Sequence, residues 1–90
     1  MIKEKEIVKK ELQTEAEVQK ELVLFNDDVN SFDHVISSLV DVCGHTIEQA
    51  EQCAMLAHLK GKCGVKNGSF KELFPLFVEL GNRDLTVEIQ

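Results

Sequence analysis

Residues 22–28 read Leu22-Val23-Leu24-Phe25-Asn26-Asp27-Asp28, and the change of character inside this stretch organises the whole chain. Four apolar residues in a row suit a short strand covered on both faces, and the polar triplet after them suits a turn. A helical rhythm then takes over. Phe32, Val35, Ile36, Leu39, Val40 and Cys43 recur every three or four positions, so one side of this segment is apolar. Asn30 or Ser31 can cap its start, Asp33 suits the positive end of the helix dipole, and Gly44 suits its stop.

The segments that follow are punctuated as clearly. Thr46 and Gln49 form a capping box that opens a second helix. Its stripe of Ile47, Ala50, Cys53, Ala54 and Ala57 is mostly small, which permits close helix approach and leaves room for something else. His58 stands one turn beyond Ala54, and Gly61 ends the helix. Lys62 to Lys66 reads as a short strand and Asn67-Gly68 as a turn. Ser69 and Glu72 form another capping box, opening a helix with Phe70, Leu73, Phe74, Phe77 and Leu80 inward. Pro75 cannot donate to the carbonyl of Lys71 and its ring crowds that turn, so a kink or a late helix start is expected. Gly81 suits the stop. Leu85-Thr86-Val87-Glu88-Ile89 alternates and predicts a last strand with one wet face.

Residues 1–20 mix Lys and Glu with few apolar anchors, Ile7, Val8 and Leu12 making one weak stripe. We expect a flexible N-terminal extension there, ahead of a core domain of residues 21–90. The order β-α-α-β-α-β predicts an α+β fold, a small three-stranded, mainly antiparallel sheet packed on one side by three helices.

Composition narrows the function. Ninety residues make one small domain with a modest core. No apolar run is long enough to span a bilayer, and the charged start offers no apolar signal-peptide core, so the expected location is the cytoplasm. A net charge of -6 and a pI of about 4.9 argue against nucleic acid and fit a partner that presents a positive group. Cys43, Cys53 and Cys63 are odd in number and form no C-x-x-C. With His34, His45 and His58 they match no common zinc spacing, so neither a disulfide framework nor a metal is expected. Cys43 and Cys53 read as small core residues, His34 and His45 as surface or capping residues, and no cofactor is implied. Asp28 and His58 could serve an enzyme as acid and base, but no Ser or Cys sits in a recognisable nucleophile elbow.

Taken in order and at their separation, four segments resemble the ClpS family. They are Leu24-Phe25-Asn26-Asp27-Asp28, Phe32 with Val35, Glu48-Gln49-Ala50, and Ala57-His58-Leu59-Lys60-Gly61-Lys62. That family shows an apolar strand, an N-D-D turn, an E-x-A stretch and an H-x-x-G-K segment. The resemblance covers about residues 22–66, and the remainder by element order. It implies a non-catalytic adaptor of the N-end rule. Such an adaptor binds the free α-amino group and bulky first side chain (Leu, Phe, Tyr or Trp) of N-degron substrates. It delivers them to a AAA+ Clp unfoldase of the ClpA or ClpC type for degradation. Carried over by position, Asn26, Asp28 and His58 hold the α-ammonium with Asp27 alongside, while Asn30, Phe32, Val35, Ala54, Ala57 and Leu85 line the side-chain pocket. The implied partners are substrate N-termini and the unfoldase, not nucleic acid or membrane, and the chain is expected to be a monomer. It departs from the family at Phe32 and Ala54, where many members carry Met, and at Asn30-Ser31, which replace a common Thr-Pro. These changes reshape the pocket. The competing reading is a non-catalytic interaction module like the C-terminal domain of the ribosomal stalk protein, similar in fold but blind to the amine.

The residue types suit the implied ligand. An α-ammonium carries three donors. A carboxylate supplies charge, an Asn carbonyl a directed acceptor, and a neutral imidazole a ring nitrogen. Hydrogen bonds to charged groups contribute about 1.5–3 kcal/mol, and burying a Leu or aromatic side chain adds about as much. Together they specify an apolar first residue with a free amine.

Overall fold

A computed structural model describes residues 18–90; the expected extension lies almost wholly outside the described residues. The chain runs β1 (Lys20–Phe25), α1 (Phe32–Cys43), α2 (Ile47–Lys60), β2 (Lys62–Gly68), α3 (Phe70–Asn82) and β3 (Val87–Ile89). Among the described residues the fold is α+β, with three helices and one three-stranded antiparallel sheet in the order β2-β1-β3. The apolar strand β1 is therefore central, and Leu22, Val23 and Leu24 are all buried, as a strand covered on both faces requires.

Leu22 pairs with Lys66 while Val23 pairs with Gly64, so Val65 is an extra residue on β2. This bulge accompanies a buried Val65, which belongs to the core. Beside it, the side chain of Glu21 occupies the space that a Cβ on Gly64 would need. Asn67 and Gly68 do not form the expected turn. Glu21 and Lys20 offer them partners, and β2 stays extended to Gly68. Local turn chemistry yields there to a ladder that only the folded chain supplies.

The helix ends are built as their sequences specify. Ser31 Oγ accepts the N–H of His34 at 3.1 Å, and the capping boxes of Thr46 with Gln49 and of Ser69 with Glu72 are both complete. Gly44 and Gly61 take positive φ of 69° and 92°, which costs glycine nothing. α3 ends differently: it runs through Pro75 without the expected late start and past Gly81 to Asn82. Asp84, not a glycine, takes the left-handed conformation after it, at φ 66°.

Leu22, Leu24, Leu39, Leu73, Leu80 and Leu85 form the core with Cys43, Cys53, Val65 and the alanines of α2. Each fully buried leucine contributes about 1.5–3 kcal/mol relative to exposure. Several expected inward residues are not in it. Ile47 is exposed at the start of α2, and Phe70 and Phe74 each keep 46% of their surface in water. Leu73 and Leu80 use the inward face of α3, and the phenylalanines stack on its shoulder, Phe70 on Phe74 at 5.4 Å and Phe74 on Phe77 at 6.2 Å. Leu85 also departs from its expected strand. β3 is only Val87–Ile89, and Leu85 drops into the core, its N–H bonded to Leu80 O at 3.1 Å.

His34 and His45 are ties between elements, not surface or capping residues. Their Nε2 atoms lie 2.7 Å from Arg83 O and 2.8 Å from Val65 O. A carbonyl only accepts, so both rings donate from Nε2.

Candidate functional site

The polar corner after β1 is held at the end of α2 by its own backbone. Asn26 N–H donates to Gly61 O at 2.9 Å, so the glycine that stops α2 also anchors the turn one helical turn from His58. A hollow of about 60 Å³ lies at this junction. Asn26, Asp27 and His58 line its polar part; Leu24, Phe32, Val35, Ala54 and Ala57 supply its apolar wall, with Phe25 and Asn30 completing it. The small stripe of α2 makes the space: Ala54 and Ala57 are 5% and 4% exposed, and they stop short of the facing α1. The ring of His58 stands edge-on to Phe32, centroids 5.5 Å apart at 64°.

Asp27 and Asp28 have different duties. One Asp27 oxygen accepts the N–H of Val29 at 3.0 Å and of Asn30 at 2.9 Å; the other accepts Asn30 Nδ2–H at 2.9 Å and, at 3.5 Å, the hydroxyl of Thr86. Burial alone would push this carboxyl up. The hydrogen bonds from Asn30, Val29 and Thr86 outweigh it and hold the group below the usual carboxylate range. Asn30 Nδ2 also donates to Asp84 O at 2.8 Å, tying the loop to the start of the last segment. Asp28 is exposed, takes part in no hydrogen bond among the described residues, and does not line the hollow. Its carboxylate is uncommitted.

Of the sequence candidates, the structure brings Asn26, Asp27, Asn30, Phe32, Val35, Ala54, Ala57 and His58 to one hollow and leaves Asp28 and Leu85 off its wall. Leu85 is instead a core residue. Leu24 and Phe25 are lining residues that were not singled out as site candidates. Their signal was direct adjacency to the polar corner. The bond from Asn30 to Asp84 had no signal at all, because it joins residues far apart in the chain.

Cys43 and Cys53 are buried, and all three cysteines are free thiols. Burial pushes the Cys43 thiol up; it does the same to Cys53, reinforced by a hydrogen bond with Cys63, which disfavours the nucleophilic thiolate at both. Among the described residues no cluster of His, Cys, Asp and Glu could hold a metal ion, and no helix is long and apolar enough to cross a membrane.

A small α+β domain with a half-polar, half-apolar hollow defines a binding module. The chain belongs to the ClpS family: residues 15–80 match the family model of the ATP-dependent Clp protease adaptor protein ClpS. It is thus a Clp protease adaptor, of a family that works with a Clp protease and its substrates. The match runs beyond the resembling segments at both ends and stops short of Leu85 and β3. No curated protein matches the chain.

Proposed function

We propose that this adaptor holds the free N-terminus of N-degron substrates and delivers them to a AAA+ Clp unfoldase. One observation carries the reading: Asn26 and His58, from distant segments, share a single hollow whose other wall is apolar. An ammonium seated there meets the Asn26 carbonyl and an imidazole nitrogen, and the free carboxylate of Asp28 supplies the charge. Asp27 shapes the loop, since its oxygens already serve four donors. The first side chain then fills the space between Phe32, Val35, Ala54 and Ala57.

The chemistry discriminates against other peptide groups. An internal amide offers one neutral donor, and an acetylated terminus leaves the acceptors unpaired, at about 1–3 kcal/mol. Titration by fluorescence anisotropy tests this with two peptides that start with Phe, one free and one acetylated. The free peptide is expected to bind at least tenfold more tightly. Equal binding would return the chain to the class of amine-blind interaction modules.

A further inference from the structure

We infer that Asn30 makes the hollow selective for a first residue whose aromatic side chain carries a hydrogen-bond donor, Tyr or Trp; the inference rests on the amine-binding reading above. Asn30 Nδ2 lies 2.9 Å from an Asp27 carboxylate oxygen and 2.8 Å from Asp84 O. Both partners only accept. The amide cannot be turned around, and both of its hydrogens are committed. What remains is Oδ1, which has no partner among the described residues. With both hydrogens of Nδ2 engaged, this oxygen is all that the side chain still has to offer a ligand.

Asn30 lines the hollow beside Leu24, Phe32, Val35, Ala54 and Ala57. Asn30 can therefore present the hollow with an acceptor only, at the border between its polar part and its apolar wall. A Phe or Leu side chain pressed against that wall takes water from Oδ1 and returns nothing. A phenol O–H or an indole N–H replaces the lost bond while burying as much ring. Because Nδ2 is pinned, Oδ1 cannot be exchanged for a donor, so the discrimination runs in one direction. A site built around such a group rejects analogues that lack its partner more strongly than a hydrophobic pocket rejects a missing methylene.

The test titrates the intact protein with peptides identical except for a first residue of Tyr, Phe or O-methyltyrosine, each free and acetylated. The wild type is expected to prefer Tyr over Phe by on the order of tenfold. O-methyltyrosine, which keeps the oxygen and loses the donor, should forfeit that advantage. In Asn30→Ala the Tyr-to-Phe ratio should fall to near one; the Phe peptide reports any general loosening of the loop, which both peptides share. Equal affinity for Tyr and Phe in the wild type, with acetylation still abolishing both, overturns this inference and leaves the amine reading intact. Binding that ignores acetylation, or no binding of any peptide, overturns both.

Discussion

Two concavities in this small domain invite comparison. One, between the turn after β1 and helices α1 and α2, measures about 60 Å³. The other, between α3 and β3, measures about 310 Å³ and is lined by Phe70, Phe74, Phe77, Val87, Glu88 and Ile89. The smaller has the Asn26 backbone and the Asp27 and Asn30 side chains held by hydrogen bonds, and the larger is apolar apart from Glu88. Volume alone fixes neither orientation nor charge, whereas committed polar groups do both. On this difference rests the proposal that the small hollow is the one that recognises a chemical group.

The comparison can be broken at the loop first. Asp27→Ala removes an acceptor of four hydrogen bonds at once. Peptide binding should be lost, and stability should fall by about 0.5–2 kcal/mol, as when a comparable side-chain cap is removed. Thermal melting alongside anisotropy checks both halves; unchanged melting would mean the loop does not need this anchor. Asp28→Ala should leave melting alone and weaken binding tenfold or more, the loss of one charge-assisted acceptor. Wild-type affinity in that variant would remove Asp28 from the site.

The pinned loop should also respond to acid. The Asp27 carboxyl is held down in the folded state, so the unfolded chain takes up the proton more readily. Its contribution is complete above the ordinary carboxylate range, about pH 4, and fades as pH falls through the lower folded value. Urea midpoints of wild type and Asp27→Ala should therefore keep their gap down to about pH 5 and approach each other as pH falls below about 4. A gap that stays constant would mean that the lowered carboxyl contributes nothing.

At the other concavity the expected effect on binding is nil. Phe74→Ser removes a half-exposed ring from the α3 shelf and should leave affinity for a Phe-starting peptide within twofold, measured by the same anisotropy titration. A large loss would make the two concavities parts of one site. The smallest change is in the core between them: Ser38 is fully buried and its Oγ has no partner among the described residues. Ser38→Ala removes that unpaired group and should be neutral or slightly stabilising in urea titration.

Local pattern was sufficient for the elements whose causes are local. The apolar run of β1, the capping boxes at Thr46 and Ser69 and the glycine stops at Gly44 and Gly61 each concern atoms within five residues, and each was legible in the chain. The ordered segments around Asn26 and His58 likewise pointed to the family. What stayed hidden depended on partners distant in sequence. Asn67-Gly68 became strand because Lys20 and Glu21 lie opposite, Leu85 left its alternating segment for the core, and the outer phenylalanines of α3 found no covering layer. The division of labour between two adjacent aspartates belongs here too. Asp27 and Asp28 are chemically the same residue, and only the folded loop, with Thr86 brought beside it and Asn30 locked to Asp84, decides which carboxylate is spent on structure and which remains free. Short-range geometry is written in residue types, whereas the pairing of distant polar groups exists only once the core has closed and brought them within reach.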